Sequence, residues 1–261
     1  FHNGGFDLFN VGEAASPGLE RLAEDGIFAP SDPSGFTTLA DERLAGQSDS
    51  QGTAVVGTTP AGGPGPIAAG TQHSRTIDIA DPALNQYVSF GAMLLPSNDA
   101  FVGTDDAIQL FDAYGNFKGA STTVFSGGDV YDAGTEVNTE EDAAFLNQTG
   151  PNTGLDENGV VRLHEGFNGS EGNPDGSLGN PDGQPGAQNI LGGTNAFGQT
   201  TDPEAADFTR EGAQIATVHI NTVVRRDGGD GRDFIFGGRD DDIVNAGDGR
   251  DFIFGRSGWD D

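Results

Sequence analysis

Gly228-Gly229-Asp230-Gly231-Arg232-Asp233-Phe234-Ile235-Phe236 opens the tail of this chain, and its period decides how the rest is read. Written in nines, the sequence continues as Gly237 to Asn245, then Ala246 to Phe254, then a shorter Gly255 to Asp261. Asp233, Asp242, Asp251 and Asp260 hold the sixth place of each unit, and Ile235, Val244 and Ile253 the eighth. A merely acidic tail does not set four aspartates and three aliphatics in one register. The second unit departs from the pattern at Arg239-Asp240, and the third begins with Ala246 in place of glycine.

The pattern resembles the G-G-x-G-x-D-x-U-x nonapeptide of calcium-binding RTX proteins. Its spacing has a physical reason. Glycines allow a tight turn whose carbonyls face inward, and the aspartate adds a carboxylate to them. The resemblance implies a parallel β-roll over residues 227–261, truncated at its far end, in which two nonapeptides make one coil. Equivalent loops then stack eighteen residues apart, so Ca2+ is expected to bridge Asp233 with Asp251 and Asp242 with Asp260. Gly229, Gly231, Gly247 and Gly249 supply the carbonyls of those loops. The same family leaves Gram-negative cells through type I secretion, which implies a secreted, extracellular protein.

Composition agrees with a calcium-loaded chain. Among 261 residues, 41 acidic side chains face 12 basic ones, for a net charge of −29. That balance excludes an electrostatic grip on nucleic acid or on an anionic membrane, and it favours divalent cations. Hydrophobic residues reach only 34% while glycines number 43, which suits a turn-rich β protein better than a helical bundle. Without cysteine there is no disulfide framework and no zinc–thiolate site. No apolar run is long enough to span a membrane.

Upstream, Ser16-Pro17 through Gly26 carries the cap, first-turn proline and terminal glycine of a helix, and a second helix is expected over 39–44. The period then shortens to two. Strands are expected around Val55-Val56, at Thr76 to Ile79, from Tyr87 to Leu95, at Ile108 to Phe111, at Thr123 to Phe125, at Val160 to Leu163 and from Gln214 to Val223. Such a series predicts an antiparallel β-sandwich with short helices. Gly172 to Gly176 and Gly179 to Gly183 repeat a Pro-Asp-Gly turn. Composition changes sharply after Arg226: residues 227–261 hold ten Asp and four Arg, placing a domain boundary at 224–227.

Asp132-Ala133-Gly134-Thr135-Glu136 sets two carboxylates four apart across a turn, and Asp99 follows the strand expected from Tyr87 to Leu95. The three can converge on one hard cation, although on chemistry alone solvated loop carboxylates are the better explanation. Leu8 to Ser16, Leu19 to Gly26, Met93 to Asp99, Asp132 to Asn138 and Arg162-Leu163-His164 together resemble bacterial spondin-N domains, relatives of the N-terminal spondin domain of F-spondin and mindin. The resemblance spans residues 1–224, with a first strand expected upstream of Phe1. It implies a β-sandwich holding calcium through Asp99, Asp132 and Glu136.

No catalytic motif accompanies these residues. G-x-S-x-G is absent, and His164-Glu165 lacks the second histidine of a zincin helix. The chain is therefore expected not to be an enzyme. Two roles remain: a calcium-dependent adhesion module with an extracellular glycan or protein ligand, or a structural piece of a surface layer or fibre, with self-association.

Overall fold

The computed structural model describes residues 1–58, 62, 64–138, 143, 144, 148, 150–164, 212–236 and 241–255. The paired Pro-Asp-Gly turns, the acidic cluster 140–142 and Asp260 lie outside them. Two helices come first, α1 (Pro17–Asp25) and α2 (Leu39–Gly46). The strands follow: β1 (Gly57–Thr58), β2 (Pro64–Gly65), β3 (Tyr87–Val88), β4 (Gly91–Met93), β5 (Ala100–Gly103), β6 (Ile108–Gln109) and β7 (Ser121–Ser126). After these come β8 (Val130–Asp132), β9 (Arg162–Leu163), β10 (Gln214–Ile220), β11 (Val223–Asp227), β12 (Phe234–Phe236), β13 (Asp241–Asn245) and β14 (Phe252–Phe254). Strands dominate, as expected of an all-β chain.

The centre is an antiparallel sheet in the order β4-β5-β8-β9. Side chains alternate across a strand, so β5 feeds two cores at once. Ala100 and Val102 pack with Phe125, Val130 and Ala143, against half-buried Ile215, Ala216 and Val218 of β10. Phe101 points the other way, to Leu8, Phe9, Leu19, Ala23, Ala133 and Val161. The β7–β10 ribbon thus covers one face of the sheet and α1 with the N-terminal segment covers the other. Phe101 is fully buried, and its truncation to Ala should cost about 3–5 kcal/mol.

Helix α1 forms where the sequence marks it. Ser16 Oγ accepts from the Leu19 N–H (3.2 Å), Pro17 opens the first turn and Gly26 ends it at φ 67°. Glu42 of α2 ties the two helices together, accepting from Ser16 Oγ (2.7 Å) and from the Gly18 N–H (2.8 Å).

Several expected strands are shorter or displaced. Val55 and Val56 are exposed, and the strand there is Gly57–Thr58. Thr76 to Ile79 forms no strand: its two isoleucines are half-buried, but no neighbouring strand pairs with it. Tyr87 to Leu95 divides at Ser89-Phe90, where the Thr104 side chain and backbone take over Phe90 (3.0 and 2.9 Å). As a result β3 pairs with β6, and β4 with β5. Gln214 to Val223 divides at Asn221-Thr222: β10 runs antiparallel to β7, whereas β11 runs parallel to β13. That parallel register, Val223 with Asp241, and the register of Phe234 with Phe252 in β12–β14 both step by eighteen residues.

Candidate metal centres

Sheet register assembles the first centre. Asp132 ends β8 opposite Ala100, so Asp99, one residue before β5, lies beside it. Arg162 of β9 pairs with Asp132 on its other side. The loop after β8 then folds over Asp99. Its Oδ2 accepts from the Thr135 N–H (2.9 Å), the Glu136 N–H (3.1 Å) and Thr135 Oγ1 (3.3 Å). Gly134 makes that turn at φ 68°, with the Val160 backbone where a Cβ would sit, 2.5 Å away. Two further backbone bonds, Glu157 N–H to Thr135 O (2.9 Å) and Gly159 N–H to Gly134 O (2.7 Å), lay the 155–161 segment across the loop.

The result is a group of three carboxylates, Asp99, Asp132 and Glu157, each offering an oxygen within 4.8 Å of the others. Asp99 is 0% exposed and Asp132 2%. Arg162 bridges the cluster, donating to Asp132 Oδ2 (3.1 Å) and Glu157 Oε1 (2.6 Å). Asn138 Nδ2 donates to the same Asp132 oxygen (2.8 Å), and the Gly134 N–H donates to Asp132 Oδ1 (2.7 Å). Glu136 is also buried, but its Oε1 accepts from Asn98 Nδ2 (3.0 Å) and fills the space that a Cβ on Gly154 would need.

Electrostatics make this arrangement costly without a cation. Burial first, and the charge of Asp132 second, push the Asp99 carboxyl well above its usual range. Burial raises Asp132 as well, against the opposing pull of Arg162. His164 is held neutral, its pKa lowered to about 4 by burial and by Arg162, so it adds no compensating charge.

Among the described residues, Asp99 Oδ1, Glu157 Oε2 and Asn138 Oδ1 are buried here and make no hydrogen bond. Buried polar atoms are rarely left so. All are hard oxygen donors of the kind that calcium takes. Three carboxylates and Arg162 sum to −2, the charge that one divalent cation neutralises. The residues present fit the ion.

Repetition assembles the second centre. Gly229, Gly231, Gly247 and Gly249 all have positive φ. Gly231 and Gly249 form a parallel bridge, so close that a Cβ on Gly249 would sit 1.4 Å from Gly231 O. Only glycine fits there. The Asp233 N–H donates to Asp251 Oδ1 (2.9 Å), eighteen residues on, and Asp233 Oδ2 is buried without a partner. Asp242 lies on β13, with its backbone opposite Val224.

A family model described as RTX calcium-binding nonapeptide repeat, in four copies, matches residues 227–260. Those residues are RTX calcium-binding repeats. Repeats of this family bind calcium ions and are typical of proteins exported by type I secretion. No curated protein and no solved structure matches the chain.

Sequence reading named Asp99, Asp132 and Glu136 together. The structure gathers the first two with Glu157, and sets Glu136 one step aside against Asn98. Glu157, Asn138 and Arg162 were missed as site residues. Glu157 carried no signal of its own, being one more acid in the turn Asp156-Glu157-Asn158-Gly159. Arg162 could have been found as the lone cation on the strand expected at Val160 to Leu163.

Proposed function

We propose that this chain is an extracellular, non-enzymatic protein whose fold is built by calcium, with the ions acting as staples rather than as docking points. In this reading residues 1–224 form a spondin-like β-sandwich with one calcium held between Asp99, Asp132 and Glu157. The repeats form a β-roll that folds on calcium after export. The observation that carries it is the buried, partnerless Asp99 Oδ1 inside a cluster whose charge one divalent ion cancels. An ion used for adhesion must keep a face open to its ligand. A donor set exposed by 0–2% at two of three carboxylates speaks for the structural role.

Calcium titration of the full chain after chelation tests this, comparing Asp99→Asn with the unmodified protein by calorimetry. The variant should bind one ion fewer, keep the repeat sites and melt at a lower temperature in calcium. Unchanged stoichiometry and melting would sink the centre. Loss of attachment to extracellular material by the variant, at a temperature where it remains folded, would favour the adhesive role instead.

A further inference from the structure

The eighteen-residue step places phenylalanines in register on the β12–β14 face. Phe234 stacks on Phe252 at 5.0 Å with 7° between planes, and Phe236 on Phe254 at 5.1 Å with 10°. All four are between 43 and 59% exposed, while Ile235 between them points inward and is buried. Arg232 lies over both Phe234 and Phe252 (5.5 and 5.0 Å). Core demands do not explain these rings, because they point out of the coil.

We propose that this ladder is a self-docking surface, through which two calcium-loaded copies of the chain pair sheet to sheet. Three features favour a second copy. The ring spacing is close to the strand spacing of any sheet, so an occupant must offer apolar groups at that same pitch in two columns. A second ladder does, by construction. One face of each ring is already used in stacking, and Arg232 lies over Phe234 and Phe252, which leaves few free faces, whereas a sugar ring seeks a free aromatic face. The patch is also bounded by both signs of charge. Exposed Arg232 and Arg250 lie near exposed Asp230 and Asp248, so a two-fold pairing can set cation against anion.

Area fixes the expected strength. Four half-exposed rings offer about 400 Å² per copy, hence about 800 Å² in a pair, which is the low end for specific contacts. With −29 on each copy, the pair should be weak, with a dissociation constant on the order of 100 μM that tightens as salt is raised. The proposal rests on the calcium-built tail of the preceding reading and goes beyond it in naming the partner.

Sedimentation of the full chain over a wide concentration range tests it, in millimolar calcium and in chelator, beside the Phe236→Thr/Phe254→Thr double variant. Threonine keeps strand propensity and leaves the glycine loops and Ile235 untouched. Circular dichroism on the same samples reports whether the tail folds. A calcium-dependent dimer, weakened at least tenfold in the double variant, is the expected result. A folded tail on a chain that stays monomeric overturns the ladder alone, as does a dimer indifferent to the double variant or to chelation. A tail that does not fold in calcium overturns the ladder and the preceding reading together. Flotation of a monomeric chain with phosphatidylcholine vesicles, lost in the double variant, replaces the second copy with hydrocarbon and also overturns the proposal.

Discussion

The two candidate metal centres use the same donor chemistry and are built in opposite ways. In the tail, Asp233 and Asp251 meet because the chain repeats, so contact follows sequence spacing by a constant eighteen residues. In the large domain, Asp99, Asp132 and Glu157 come from three segments that meet only through the register of β5, β8 and β9. The first kind of site is written in the sequence, and the second in the fold. Their energetics differ too. A repeat has little core of its own: Ile235 is buried but Ile253 is half exposed. Upstream of the repeats, two apolar clusters are built from side chains outside the three carboxylates.

Calcium removal should separate them most sharply. Stripped of cation, the tail has glycine-rich backbone to order and few apolar contacts to offset that entropy, so it should unfold outright. The central sheet should open only locally around the 133–138 loop. Hydrogen exchange in excess chelator should therefore abolish protection in 223–255 and retain it at Phe101, Val102 and Val130. Equal loss in both regions would break the contrast.

A backbone test is nearly as large. Gly249→Ala sets a Cβ 1.4 Å from Gly231 O at φ 150°, which the stacked coil cannot relieve except by parting. The expected cost is on the order of 4 kcal/mol or more, enough to prevent calcium-induced folding of the tail. Gly12→Ala in the large domain makes the matched control. Its φ is 90° but nothing lies within 4 Å of the added atom, so only backbone strain of about 1–2 kcal/mol applies. Similar destabilisation in the two variants would show that stacking distance does not govern the tail.

A smaller effect sharpens the assignment within the large domain. Glu157→Gln should weaken its calcium about tenfold to a hundredfold by removing one charged donor. Glu136→Gln keeps an oxygen for Asn98 Nδ2 and should change affinity less than about threefold. The reverse order, read by calcium titration of the two variants, would restore Glu136 as the ligand.

The sequence made legible what is local or periodic: the capped helix α1 and the nine-residue register. It did not reveal strand ends, because Thr76 to Ile79 alternates as well as Thr123 to Phe125 does. What separates them is that β10 is there to pair with the second. Nor could it choose Glu157 over Glu136. Both are acids near turns, and the choice depends on Thr135 O and Gly134 O receiving the Glu157 and Gly159 amides. The Val223 end of the expected β10 shows the same limit, since β11 leaves for a parallel partner that only the eighteen-residue step supplies.

Buried charge offers the smallest and most selective separation. Helix α1 buries Arg21 against Glu20, Glu24 and Asp25, with Glu24 Oε2 2.6 Å from Arg21 Nη2. Burial outweighs Arg21 and Thr135 and raises the Glu24 carboxyl from 4.5 to about 7. The folded protein therefore holds this proton more tightly than the unfolded chain does. The stability so contributed is full below pH 4.5 and is lost as pH rises through about 7. Glu24→Gln cannot titrate. The unfolding free energy of the unmodified protein minus that of the variant should thus fall as pH rises from 4.5 to 7.5, by about 1 kcal/mol after solvent screening. Other titrating groups, the Asp99 cluster included, are shared by both proteins and cancel in the difference. Calcium-driven folding of the tail, followed separately, should show no such difference, because Glu24 belongs to the α1 side of the large domain. A difference that stays flat with pH would mean that Arg21 keeps Glu24 ionised throughout, and the helix would then carry its buried charges as a fixed network.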